Sequence, residues 1–364
     1  MNKTQVIDEE NIEGLDNKDD DAALGGYPID TLLIRNENRT VHDVLRRIEK
    51  GSFVMDPEFQ RDFIWPDDKQ SKLIESVLMR IPLPVFYLGE DKEGRMVVVD
   101  GLQRLSTFQR FVNNELKLVL PNQSELNKKY FRDLSPKMQN RIEDCNLILY
   151  VIDAKVPERA RLDIFDRVNG GIPLTRQQMR NCLYMGAATR FLKEEATSDQ
   201  FLKATGKSLQ TKTMRDREFV NRFCAFQLLP IREYRGDMDD FLAQGLTKMN
   251  DLSSNDLKKL SMQFRTSLKN NLTVFDQHAF RKHAKGQADR SVLNASLWDV
   301  MSTVLSRHSE NVVEARAVKI KSAFFSLMKD NDFITSITYG TNHTKNVLHR
   351  FEAARAVFQE VLND

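Results

Sequence analysis

The sequence predicts an α+β protein in two parts: a mixed α/β domain over residues 27–186 and a predominantly α-helical domain over 187–364. Three observations carry this. "VFYLGEDKEGRMVVVD" (85–100) has apolar runs on either side of Glu93 and Gly94, the pattern of a β-hairpin. "CNLILYVID" (145–153) has the continuous apolar run of a buried strand. From residue 187 onward strand signals nearly vanish, and apolar residues recur at helical spacing in "EFVNRFCAFQLL", "SVLNASLWDVMSTVL" and "KNVLHRFEAARAVFQEVL". No Gly/Pro/Ser-rich linker separates the parts, and there is no internal repeat.

Residues 1–26 are acidic and poor in large apolar groups, so they read as a disordered or loosely docked tail. "RTVHDVLRRIEKG" is a well-signed helix. Thr40 can cap it, Asp43 stands where a capping-box acid belongs, Val41, Val44, Leu45 and Ile48 form its stripe, and Gly51 ends it. "FVMDPEFQRDFIWPDD" reads as extended chain and loop. A helix follows over 67–79 with Leu73, Ile74, Val77 and Leu78 buried, and Pro82 and Pro84 prevent its continuation. "PERARLDIFDRV" is a helix that stops at Asn169-Gly170-Gly171, and Thr175 with Gln178 makes a second capping box.

Composition excludes several classes. With 54 basic and 52 acidic residues the net charge is +2, so any nucleic-acid contact must come from a local patch. Cys145, Cys182 and Cys224 are scattered, which argues against a disulfide framework or a cysteine zinc site. Among six histidines there is no HExxH, and His278 and His283 are five apart. No segment reaches the ~18 apolar residues of a membrane span, and the N-terminus is acidic rather than a signal peptide, so a cytoplasmic location is expected.

The chemistry concentrates in "VVVDGLQRLSTFQRF" (97–111), where a β-branched run stops at Asp100 and Gly101 and a helical pattern begins. A strand that feeds a helix through glycine presents free N–H groups, and the helix dipole favours an anion there. Gly101 lets the backbone approach closely, Arg104 offers a forked donor pair, and Ser106 and Thr107 add hydroxyls. Asp100 would repel phosphate, so it holds a metal ion, orients water or fixes Arg104. GxxxxGK[ST] is absent. Two further constellations join it. "PEFQRDFIW" sets Gln60 and Arg61 among aromatic residues, and "IFDRVNGGIPLT" ends a helix at Asn169.

The order FQR…W, IPLP, V-D-G-x-Q-R and I-F-D-R-V-N-G-G resembles the N-terminal domain of GmrSD-type restriction enzymes, closely over 28–185 and more loosely in "FVNRF" and "NVLHRF". The resemblance implies a ParB/sulfiredoxin-like fold, and NTP binding and hydrolysis in prokaryotic defence against foreign DNA. Residue by residue it implies Asp100, Gln103 and Arg104 as the catalytic signature, with Asp100 the metal ligand. Gln60, Arg61, Gly101, Ser106, Thr107 and Asn169 would bind the nucleotide, and the ion would be Mg²⁺. Leu102 departs from the family's D-G-Q-Q-R, which removes one polar contact. No HNH nuclease pattern is found, so cleavage is expected of a separate effector nuclease. No cysteine lies in the turn for sulfiredoxin chemistry. The leading expectation is a nucleotide-dependent switch. The alternatives are a DNA-binding adaptor, with "RKHAK" (281–285), Arg215 and Arg217 as phosphate contacts, and a purely structural interaction protein.

Overall fold

The computed structural model describes residues 12–15, 34–55, 65–91, 93–156, 158–168 and 175–362. The chain divides into two compact units: Gly26–Leu183, and Tyr184–Asp364 together with Met1–Gly25. Within residues 1–26, the described residues 12–15 carry strand β1 (Ile12–Glu13), which belongs to the second unit.

The first unit is built on a five-stranded mixed sheet of β2 (Ile34–Thr40), β3 (Phe53–Val54), β4 (Phe86–Glu90), β5 (Met96–Asp100) and β6 (Asn146–Ile152), in the order β2-β6-β4-β5-β3. β2 runs antiparallel to β6, pairing Ile34 with Ile152 and Thr40 with Asn146. β4 is antiparallel to β5 and parallel to β6, and β3 lies parallel to β5 at the edge. The β4–β5 hairpin closes with the Asp91 N–H donating to the Arg95 carbonyl. In β6, Leu147, Leu149 and Val151 are buried while Asn146 and Ile148 are exposed, the alternation of a strand with one covered face. Leu149 and Val151 share a core with Val44, Ile74, Phe108 and Phe111 from the helices Val41–Glu49, Asp67–Leu78 and Leu102–Val112. Each such side chain contributes about 1.5–3 kcal/mol on burial.

The caps show where sequence chemistry acts locally. Thr40 caps the first helix, its Oγ1 accepting from the Asp43 N–H at 3.2 Å. The Asp43 carboxylate does not close a capping box; it is drawn to Arg39, Arg46 and Arg47 at 2.7–3.0 Å, because three guanidinium groups outcompete one backbone amide. The Thr175–Gln178 box does form, with reciprocal bonds of 3.2 and 2.7 Å.

The second unit is helical, as its periodicity predicts, with one exception: β7 (Leu293–Asn294) pairs in parallel with β1. Its core gathers Phe219, Phe223, Phe264 and Phe280 around Trp298. Asp299 is fully buried beside that core. Arg222 meets it through a forked pair at 2.8 and 2.8 Å, and Arg350 Nη2 donates to it at 3.1 Å. The "FVNRF" and "NVLHRF" stretches thus converge on one carboxylate, joining the helices Arg215–Leu228, Ala295–Leu305 and Thr344–Leu362. No helix among the described residues is long and apolar enough to cross a membrane.

Candidate functional site at the end of the mixed sheet

β5 carries Asp100 to the sheet end through an irregularity. Leu88 pairs with Val98, but Tyr87 pairs with Asp100, so Val99 is an extra residue on the β5 side. Such a bulge re-aims the side chain that follows, and here it sets Asp100 opposite Tyr87. Tyr87 also pairs with Tyr150 of β6, and the two rings stack at 5.6 Å. Burial, helped by Tyr150 and the Asp100 carboxylate, pushes the Tyr87 phenol above its ordinary pKa.

Gly101 begins the Leu102–Val112 helix with φ +100°, a conformation that side-chain-bearing residues avoid. A Cβ there would stand 2.2 Å from the Phe86 ring. The close approach that needs glycine is therefore that of a buried phenylalanine. No side chain caps the helix at Gly101. Of the donors expected there for an anion, the first-turn backbone N–H groups receive no side-chain cap.

Arg104 is buried. Its Nη2 donates to Asp100 Oδ2 at 2.8 Å and to the Val85 carbonyl at 3.0 Å, its Nη1 donates to the Pro84 carbonyl, and its plane lies 4.2 Å from the Phe86 ring centroid. Burial lowers its pKa, with Asp100 opposing the shift. The guanidinium thus braces the 84–86 turn and orients Asp100. Asp100 keeps 34% of its side chain exposed, and its Oδ1 makes no hydrogen bond among the described residues.

The remaining sequence-predicted residues separate by position. Gln103 Oε1 accepts from the Trp65 N–H at 2.9 Å, which ties the motif helix to the residue that closes the "FQRDFIW" stretch. Thr107 donates its hydroxyl to the Gln103 carbonyl at 2.7 Å, and Ser106 Oγ is shielded from solvent without a partner. Neither hydroxyl is presented to solvent. Gln60, Arg61 and Asn169 lie outside the described residues. Asp100, Gly101, Gln103 and Arg104 are brought together.

Two features escaped the sequence reading. Tyr87 lies opposite Asp100 and stacks on Tyr150 from the next strand; their one signal is a hydroxyl-bearing ring inside each apolar run. The helix Arg176–Leu183 packs against β5 and buries Gln177, Gln178, Arg180 and Asn181, with Arg180 Nε donating to Gln177 Oε1 at 3.0 Å. Its signal is a helix with few apolar residues that still has to be covered. In the helical unit His278 and His283 stack at 4.7 Å as buried neighbours, and His283 Nδ1 lies 2.9 Å from the Arg281 carbonyl.

Asp100 fits a magnesium ion only in part. Among the described residues no three His, Cys, Asp or Glu side chains gather into a metal cage. Magnesium bound with a nucleotide takes one or two carboxylates and completes its shell with phosphates and water. One oriented carboxylate with a free oxygen meets that requirement. No curated protein and no solved structure matches the chain significantly. Residues 41–185, which hold the whole Asp100–Arg104 turn, match the family model of the GmrSD restriction endonuclease N-terminal domain.

Proposed function

We propose that the Gly26–Leu183 unit binds and hydrolyses a nucleoside triphosphate, and that the protein is a nucleotide-dependent switch of a restriction-like defence system. The family match supports the defence setting. One observation carries the chemistry: Arg104 holds Asp100 through Oδ2 and leaves Oδ1 unbonded, beside an uncapped helix N-terminus. An oriented carboxylate at the positive end of a helix can place an attacking water or a cation against a bound phosphate. On this reading a ParB/sulfiredoxin-like arrangement of the mixed sheet presents the triphosphate to that turn. Asp100 is the catalytic residue: it takes a proton from a water whose oxygen bonds to the γ-phosphorus as the bond from that phosphorus to its bridging oxygen breaks, which releases the nucleoside diphosphate and inorganic phosphate. Mg²⁺ would supply charge neutralisation on the phosphates. Arg104 is a positioning residue, Gln103 anchors Trp65, and Gln60, Arg61 and Asn169 are the proposed nucleotide contacts. DNA cleavage falls to a separate effector nuclease.

The test is calorimetric titration of each NTP with Mg²⁺, followed by phosphate release. Asp100→Asn should keep nucleotide binding and lose turnover by about a hundredfold or more, the range of one positioned acid–base group. Arg104→Lys should lower kcat while leaving KM for the nucleotide near wild type, because lysine cannot hold Asp100 Oδ2 and the Pro84 and Val85 carbonyls at once. Absence of NTP binding at millimolar concentration, or full turnover in Asp100→Asn, refutes the reading.

A further inference from the structure

The mixed sheet carries a row of side chains of which the Asp100 site uses only one end. Directly opposite residues on neighbouring strands point to the same face. The register sets Asp100 of β5 against Tyr87 of β4, Tyr87 against Tyr150 of β6, and Tyr150 against Asn36 of β2. One line across four strands therefore reads acid, phenol, phenol, amide. The two rings stack with centroids 5.6 Å apart and planes 27° from parallel. Both tyrosines are half-buried and Asn36 is exposed. Neither phenol and no atom of the Asn36 amide makes a hydrogen bond among the described residues. Burial, then Tyr150 and the Asp100 carboxylate, raise the Tyr87 pKa, so its hydroxyl stays a donor.

This face of the sheet is covered on only one side of the row. Toward Gly89 the helices Glu158–Val168 and Arg176–Leu183 close over it: a Cβ on Gly89 would meet Leu183 at 2.8 Å, Arg161 at 3.0 Å and Phe165 at 3.4 Å. On the other side the face is open. Ile148 stands two residues before Tyr150, hence on the same face, and is 40% exposed; Asn38, opposite it, is also exposed. The fold does not call for aromatic rings here, because the core of this unit lies on the opposite face, with Leu147, Leu149 and Val151, and includes neither tyrosine. A stacked ring pair and an isoleucine thus form an apolar shelf edged by amides, with a carboxylate at one end.

We propose that this shelf holds the base of the nucleotide whose phosphates reach Asp100, with the base stacked on Tyr150 beside Ile148 and its polar edge met by Asn36. The inference rests on the nucleotide reading of the Asp100 turn and assigns the other end of the same ligand. Strands lie about 4.8 Å apart, so along the row Tyr150 stands about 10 Å from Asp100 and Asn36 about 14 Å. A nucleoside triphosphate needs a phosphate end and an aromatic end separated on that scale. Every base has a π face, and aromatic side chains on an open sheet face are stacking platforms for bases. An asparagine amide carries a donor and an acceptor side by side, which matches the edge of a base. Tyr87 supports the Tyr150 ring from the Asp100 side and is a positioning residue.

The experiment titrates the full chain, with Mg²⁺, with each NTP and with inorganic tripolyphosphate, which carries the phosphates without a base. Wild type should bind its preferred NTP at least about fivefold more tightly than tripolyphosphate, and Tyr150→Ala should lose about fivefold to a hundredfold of the NTP affinity, the range of one base stacked on one ring. The same variant should keep its tripolyphosphate affinity, and Tyr150→Phe, which keeps the ring, should restore NTP binding. Ile148→Ala shortens an exposed side chain, so it tests the shelf even if Tyr150→Ala does not fold; it should weaken NTP binding and spare tripolyphosphate. Asn36→Ala should narrow the differences among the four NTPs. Equal wild-type affinity for NTP and tripolyphosphate overturns the proposal and leaves the Asp100 reading standing. Equal losses of both ligands in a folded Tyr150→Ala overturn it as well. Binding of neither ligand refutes the nucleotide reading, and this proposal with it. Tyr150-dependent binding of a labelled single-stranded oligonucleotide, with NTP affinity unaffected by the substitution, assigns the shelf to nucleic acid and overturns the proposal.

Discussion

The two units bury arginine to different ends. In the helical unit Arg222 and Arg350 converge on Asp299, whose oxygens are both engaged and which has no exposure. In the mixed unit Arg104 pairs with Asp100 through one oxygen, and the carboxylate stays about one-third exposed. The first arrangement engages both carboxylate oxygens in joining three helices. The second leaves one oxygen and one helix N-terminus available. A motif arginine and a core arginine can look alike in sequence; what separates a fastener from a site is how much of the acid is left over.

The comparison can be broken by removing each acid or its support. Asp299→Asn should have the largest effect, because it strands two buried guanidinium groups. Breaking such a pair costs about 3–5 kcal/mol. The units hold one tryptophan each, Trp65 and Trp298, so urea unfolding of a Trp65→Phe background reads the helical unit alone. A loss below ~1 kcal/mol would mean that the ion triad does not fasten the helices.

Gly101→Ala comes next. It adds a methyl against a buried ring and forces φ +100° on alanine, together about 2–4 kcal/mol. Trp65 fluorescence, next to Gln103, should report it in a Trp298→Phe background. Gly101→Ala/Phe86→Leu should recover part of the loss if the ring is the obstacle.

A smaller effect is expected from acid. Burial first, then His278 and Lys321, hold the His283 pKa below its ordinary value, while the Arg281 carbonyl opposes this. A base with a depressed folded-state pKa supports the fold above the ordinary histidine range near ~6.5 and loses that support as pH falls below it. Unfolding midpoints at pH 7.5 and 5.5 should therefore diverge in wild type and converge in His283→Phe. Asp43→Asn should be smallest, at most about 1 kcal/mol, since its arginine partners are partly solvated. Arg46, then Arg39 and Arg47, lower the Asp43 pKa far below the carboxylate range, so this contribution persists above that range and fades only in strong acid.

Much of the mixed unit was legible because its signals are local. Glu93-Gly94 marks a turn, the β6 run marks a strand, and Asp-Gly marks the strand-to-helix junction. Asp100 fixing Arg104 was among the roles the sequence offered, but the other partners of Arg104 were not legible. They are backbone carbonyls 19 and 20 residues away, which any sequence could supply. Gly101 was read as room for an anion, whereas the contact that demands it is Phe86, fixed by the bulge in the hairpin. In the helical unit "FVNRF" and "NVLHRF" were visible as marked stretches. Their common partner, 77 residues from one and 51 from the other, is a property of the packed helices.

The pairing of β1 with β7 governs the order in which the chain can be completed during synthesis. Ile12 aligns with Leu293, Lys282 Nζ donates to Glu13 at 2.5 Å, and the Thr341 hydroxyl donates to the Gly14 carbonyl at 3.0 Å. Residues 12–15 must wait on the ribosome for partners that emerge 269 to 327 positions later. The intervening mixed unit has its sheet closed once β6 has been translated, so it can mature while its N-terminal neighbour is still unpaired. Contacts of such long sequence separation form late and carry a high closure entropy. A nascent chain stalled before residue 293 would therefore expose Ile12–Leu15 to protease, and full translation would hide it.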